Sequence, residues 1–141
     1  MELGQAVLSE IAIGIGCSSS ATADDIQALA EDMLRAAPPH RRAKIFTLAR
    51  KAEYAPLHEA AARLGCEIIF LGEAELSRRQ PEFASRGAEP SATACKKTGF
   101  ASVAEAAALM GAGPGAVVIA ARRAARNVTC ALAAPAHELT S

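Results

Sequence analysis

The stretch from Ile11 to Ile26, IAIGIGCSSSATADDI, constrains the architecture of this chain more than any other. An apolar run carrying Gly14 and Gly16 breaks into Cys17, Ser18, Ser19 and Ser20, and Thr22 then opens a helical pattern through a Thr22-x-x-Asp25 capping pair. This order reads as a strand, a tight loop and a helix N-terminus. Such a junction gathers unpaired backbone N–H groups and the positive end of a helix dipole. With the serine hydroxyls beside them, the sequence predicts a seat for an anion. Gly16 is expected to let the backbone approach a ligand, or to take a dihedral closed to other residues. The alternative is that Gly16 and the serines merely turn the chain and cap the helix. Nucleotide motifs do not fit. Ser19 stands where the third glycine of a dinucleotide fingerprint would fall, and the Gly-Lys-Ser/Thr of a phosphate loop is absent.

Charge narrows the partners. Fifteen basic residues, 15 Lys+Arg, balance 15 Asp+Glu, which leaves no field to draw in nucleic acid or an acidic membrane. The chain is 51% hydrophobic yet has no Trp, one Tyr and four Phe, so its core must come from Ala, Leu, Ile and Val. Its 141 residues suit one domain, 1–141. No apolar run approaches the roughly 20 residues of a membrane helix. Glu2 without a basic n-region argues against a signal peptide, and a cytoplasmic protein is expected. Cys17, Cys66, Cys95 and Cys130 form no C-x-x-C pair and read as core residues, while His40, His58 and His137 share no ligand spacing. Neither a metal site nor a cofactor is expected.

Beyond the first helix, Asp24 to Ala37, which Pro38 and Pro39 stop, Lys44 to Ala49 is a short apolar run read as a buried parallel strand. Glu53 to Leu64 is a second helix with Gly65 at its C-cap, Cys66 to Leu71 a third strand, and Glu73 to Arg79 a short helix. Gln80 to Thr98 lacks hydrophobic period and reads as a long loop. Ser102 then opens an alanine-rich helix through Ser102-x-x-Glu105, and Ala116 to Ala121 and Val128 to Ala134 read as a hairpin around a basic six-residue turn, Arg122 to Asn127. The order predicts an α/β fold in three layers: a mostly parallel sheet with flanking helices and a C-terminal antiparallel hairpin.

Ligands of open α/β sheets bind at the carboxyl ends of the strands. Three segments are expected to converge there: Gly16 to Ser20, Arg50-Lys51-Ala52-Glu53, and Lys96-Lys97-Thr98-Gly99. Hydroxyls, backbone donors, lysines and one carboxylate suit a ligand bearing several carboxylates. Each residue also has a plain role, Glu53 as a first-turn helix carboxylate, Lys51 as a solvated strand end and Thr98 as a turn cap. No nucleophile–base–orienter set can be traced from Cys17, Ser18 and His58.

Four segments, Gly14-Ile15-Gly16-Cys17, Lys51-Ala52-Glu53 with Pro56-Leu57, Thr98 to Ala108, and Asn127-Val128-Thr129-Cys130-Ala131, occur in the order of a known family. The chain resembles the CobE and CbiG C-terminal domain family of cobalamin (vitamin B12) biosynthesis over nearly its whole length. Ser18 stands where a basic residue often follows the loop cysteine, and Arg50 where an acidic residue often precedes the lysine. The resemblance implies a role in making the corrin ring, with a tetrapyrrole or corrinoid intermediate (precorrin or hydrogenobyrinate type) as ligand. On that reading Gly16, Cys17, Ser18, Ser19, Lys51, Glu53, Lys96, Thr98 and Gly99 line the site, with Tyr54 and Phe100 as aromatic partners for the ring. Two other readings accompany it. One is a hydrolase opening a precorrin lactone, with Glu53 or Glu105 as general base. The other is a scaffold that contacts other cobalamin-pathway enzymes.

Overall fold

A run in which large and small residues alternate builds an asymmetric strand, because successive side chains leave opposite faces of a sheet. In β1 (Leu8–Cys17), Ile11, Ile13 and Ile15 point to one face and are fully buried, while Ala12, Gly14 and Gly16 point to the other. These positions come from a computed structural model that describes residues 8–37, 40–78, 103–113 and 116–135. The remaining elements are α1 (Ala23–Arg35), β2 (His40–Leu48), a 3-10 turn (Ala49–Lys51), α2 (Ala55–Leu64), β3 (Glu67–Leu71), α3 (Glu73–Arg78), α4 (Val103–Ala112), β4 (Ala116–Ala125) and β5 (Val128–Pro135). The loop expected at Gln80 to Thr98, and Ser102 at its far side, lie outside the described residues.

One sheet holds the five strands in the order β3-β2-β1-β5-β4. β1–β2 and β2–β3 are parallel, whereas β5 runs antiparallel to both β1 and β4. The sheet is therefore mixed, with the hairpin's inner strand seated against β1. α1 and α2 cover the isoleucine face, where Ile26, Leu29, Met33 and Leu57 meet Ile11, Ile13, Ile15, Ile45 and Leu132. On the opposite face Leu76 of α3 and Ala106 to Leu109 of α4 meet Ala12, Phe46, Leu48 and Ala133. The three layers expected from the sequence are present. α4 can lie directly on the β1 backbone because Gly14 has no side chain. A Cβ there would stand 2.6 Å from Ala108 N and 2.8 Å from Ala104 C, and would overlap Ala104 O.

Local signals explain most element ends. Thr22 and Asp25 make both hydrogen bonds of a capping box at α1, and Gly65 closes α2 in the left-handed conformation at φ 71°. Three boundaries depart from the sequence reading. β2 begins at His40 rather than Lys44, because Arg42 lies across from Glu10 in register and Lys44, which pairs with Ala12, reaches the Glu10 carboxylate with Nζ at 3.3 Å. α2 begins at Ala55, where Pro56 occupies a first-turn position, so Glu53 precedes the helix. The hairpin turn is two residues long, Arg126 and Asn127, and Arg122 to Ala125 belong to β4.

Cys130 sits fully buried at the centre of β5, and burial pushes its thiol up to about 12 from an ordinary 9.0, with Arg123 drawing it partly back. The folded protein thus keeps a proton that the unfolded chain releases. The Cys130 contribution to stability is present below the ordinary thiol range and is lost as pH rises toward 12, by up to roughly 1.4 kcal/mol per pH unit. Thermal melts from neutral to strongly alkaline pH should show a shallower decline for Cys130→Ala than for the native chain. Parallel declines would assign the loss to other groups.

Candidate functional site at the carboxyl ends of the strands

β1, β2 and β3 end on one edge of the sheet; β4 ends there too, and β5 starts there. Topology therefore brings the loop after β1, the turn after β2 and the β4–β5 turn to a common rim. Ser18 N donates to Asn127 O at 3.0 Å, which ties the β1 loop to the hairpin turn. Ser20 N donates to Ser18 Oγ and Ala21 N to Ser18 O, both at 3.2 Å. Thr22 N donates to Asp25 Oδ2 at 3.2 Å, and Asp25 N returns a bond to Thr22 Oγ1 at 3.1 Å.

This bonding revises the expected anion seat. Most of the loop's amides are engaged within the chain, and Asp24 and Asp25 already place carboxylates on the positive end of the α1 dipole. What the loop offers a ligand is the exposed hydroxyls of Ser18, Ser19 and Ser20 and the Ser19 N–H. Gly16 has no left-handed φ, and a Cβ on it would meet Val103 at an ordinary 3.7 Å. The glycine that close approach requires is Gly14, and the approaching group is a helix.

The second segment does converge on the first. Lys51 closes the 3-10 turn after β2, with Nζ 5.3 Å from the centroid of the Tyr54 ring. The Tyr54 O–H donates to Ala21 O, so the start of α2 is fastened to the β1 loop. Cys17 lies half-buried between them. Burial pushes its thiol up and the Lys51 charge draws it back. The Tyr54 hydroxyl is likewise raised, first by burial and then by Cys17 and Asp25. Among the described residues Lys51 makes no ion pair. Its neighbour Arg50 is neutralised by Glu73 at 3.2 Å, so the Arg50 position adds no uncompensated charge.

The other candidates separate. Glu53 is exposed in the turn before α2. Glu105 is 0% exposed on α4, where its Oε2 accepts from Arg122 N of β4 at 3.0 Å. The two carboxylates proposed as general bases are thus on different elements and are not brought together. His58 Nε2 lies 2.6 Å from Ala52 O and its ring 5.5 Å from Phe70, away from Cys17 and Ser18. Lys96, Thr98 and Gly99, and the third converging segment with them, lie outside the described residues. Sequence reasoning missed the tie made by Tyr54 to the loop and the place of Arg126 and Asn127 on the rim. A single Asn between two strand-like runs was the available signal for the latter. Among the described residues no group of three or more His, Cys, Asp or Glu side chains is arranged to hold a metal ion.

A half-buried thiol near a lysine without an ion pair among the described residues, and exposed hydroxyls in the loop after β1, thus stand at the strand ends. Residues 11–133 match the family model described as cobalamin synthesis G C-terminus. The chain belongs to this CbiG C-terminal family. Family membership makes it a cobalamin-biosynthesis protein of the CobE/CbiG type. It is 35% identical over 128 residues to Protein CobE of Sinorhizobium sp, spanning 89% of this chain and 80% of that one. Its fold is similar to the crystal structure of CobE, a protein from the cobalamin (vitamin B12) biosynthetic pathway, with a TM-score of 0.76, 32% identity and 94% of each chain covered. It is also similar to the cobalamin biosynthesis protein chiG from Agrobacterium tumefaciens str. C58, with a TM-score of 0.68, 32% identity, and 89% of this chain and 98% of that one covered. Among the described residues no helix is long and apolar enough to cross a membrane.

Proposed function

We propose that this family member binds a corrin-ring intermediate by its carboxylate arms at the strand-end rim. The observation that carries this reading is Lys51. It is a cation without an ion pair among the described residues, held over Tyr54, whose hydroxyl is tied to the loop that carries Ser18 to Ser20. A cobalamin-pathway ligand is a macrocycle carrying acetate and propionate arms, and a charge-assisted bond to one arm contributes about 1.5–3 kcal/mol. The described residues favour holding over turnover. Burial keeps the Cys17 and Cys66 thiols above their ordinary range, which is opposite to what activates a thiol, and Glu105 is occupied by the β4 backbone.

Absorbance titration of the purified chain with hydrogenobyrinic acid tests the reading. Saturable binding is expected, weakened about tenfold or more in Lys51→Ala and severalfold in Ser18→Ala. Native affinity in Lys51→Ala would remove the rim as the site, and no saturable binding by the native chain would remove the reading.

A further inference from the structure

Arg126 has no role in the fold that explains it. It is the first residue of the two-residue β4–β5 turn, with φ 47°, and Asn127 follows at φ 71°. Turns of this type take Asn, Asp or Gly, because a left-handed conformation is strained for an ordinary L-residue. Arg126 is exposed and makes no ion pair among the described residues. Neighbouring arginines do: Arg123 meets Asp32 at 3.0 Å, and Arg63 meets Asp24 at 2.6 Å. Nor is its backbone free to wander, since Asn127 O accepts from Ser18 N at 3.0 Å and Val128 pairs with Cys17.

The ground beside it is a groove of about 390 Å³ between α1 and β4. Ala28, Leu29, Ala124 and Ala125 give it an apolar lining, and its carboxylates are already engaged: Asp24 by Arg63, Asp25 by the Thr22 cap, and Asp32 by Arg35 and Arg123. The charge left over in the groove is Arg126. Lys51 follows β2 and Arg126 follows β4, and the strand order β2-β1-β5-β4 puts three strand spacings between them. At about 4.8 Å each, the two backbones stand about 14 Å apart along the rim.

We infer that Arg126 is a second carboxylate-binding cation of the rim, so that the site selects a polycarboxylate whose acid groups are spread across a macrocycle rather than gathered on a small molecule. This rests on the reading of the rim as a corrin-ring site. A strained and uncompensated guanidinium on one side of the β1 loop, and an uncompensated ammonium on the other, set a distance that the ligand must match. Backbone strain retained at an exposed turn fits a residue kept for its charge.

The test is a titration of the native chain, Arg126→Gly, Asn127→Gly and Lys51→Ala with hydrogenobyrinic acid and with citrate, together with thermal melts. Arg126→Gly is expected to melt higher than the native chain, because glycine accepts the positive φ, and yet to bind hydrogenobyrinic acid at least about fivefold more weakly. Asn127→Gly keeps the carbonyl that holds Ser18 and should bind as the native chain does. Citrate is too short to span both cations, so its weak binding should respond to Lys51→Ala and be unchanged by Arg126→Gly. If Arg126→Gly binds hydrogenobyrinic acid as tightly as the native chain while Lys51→Ala does not, Arg126 is outside the site and the rim reading stands. Equal dependence of citrate on both cations would overturn the span. Failure of the native chain to bind hydrogenobyrinic acid would take down the reading and this inference together.

Discussion

Gly14→Val is expected to abolish folding at ordinary temperature. The obstacle is backbone: a Cβ at this position overlaps Ala104 O and stands 2.6 Å from Ala108 N, so the whole of α4 would have to lift off β1. Side chains can rotate away from an intruding methyl, but a helix backbone cannot. Overpacking a well-filled interior typically costs 1–3 kcal/mol even where neighbours can adjust. Here the expected loss exceeds about 3 kcal/mol, against a total domain stability of roughly 5–15 kcal/mol. Ala106, Ala107, Ala108 and Leu109 would lose their seat at the same time. Circular-dichroism melts of purified variants check this, with Gly16→Ala as the control, since its Cβ meets Val103 at 3.7 Å. A cooperative, native-like melt for Gly14→Val would mean that α4 does not lie where the structure places it.

Glu105→Ala should destabilise the domain by about 2–4 kcal/mol, most of it through one backbone amide. The β4–β5 pairing shifts register between Ala120 and Arg123, and within that irregularity Arg122 N turns to Glu105 Oε2 at 3.0 Å. An irregular strand frees an amide, and a buried amide without an acceptor costs about 1–3 kcal/mol. Alanine also leaves a void in a site that is 0% exposed. Glu105→Gln keeps an oxygen in place and should lose distinctly less. Denaturant midpoints ordered native, Gln, Ala are the expected result. Coincident native and Ala curves would show that β4 holds its shape without Glu105.

The sequence reads Glu105 as the capping partner of Ser102 or as a general base, both written in short spacing, whereas the bond it accepts from Arg122 N spans seventeen positions to a strand and is written in none. The same contrast runs through the molecule. Thr22 with Asp25, Gly65, and the apolar run of β1 act over one or two turns of chain, and each was legible. The start of β2 was not, since His40 to Lys44 is a charged run that becomes a strand when Glu10 of a neighbouring strand supplies the counter-charge. The basic stretch Arg122 to Ala125 read as a turn for a similar reason: its place in the sheet is fixed by pairing with Val128 to Cys130, and its own residues are indifferent to it. The convergence of Lys51 with the Cys17 loop was legible because loops that follow parallel strands share one edge of the sheet. The close approach of a helix to Gly14 was not legible, because a glycine's neighbour in space, here Ala104, cannot be read from its neighbours in sequence.

The order of strands also sets a timetable for synthesis. β1 is made first, and β2 can join it early, but its other edge is covered by β5, in which Ile15 finds Cys130 and Gly14 finds Ala131. A nascent chain growing at about 5–20 residues per second therefore carries its central strand half-paired for several seconds. The closing contact joins the two ends of the sequence, which makes it slow by topology as well as late by translation. Ribosomes that stall before Val128 release a chain whose central strand is an open edge, ready to pair with another copy of itself. For this domain, the late-made β5 decides whether the early-made β1 is safe.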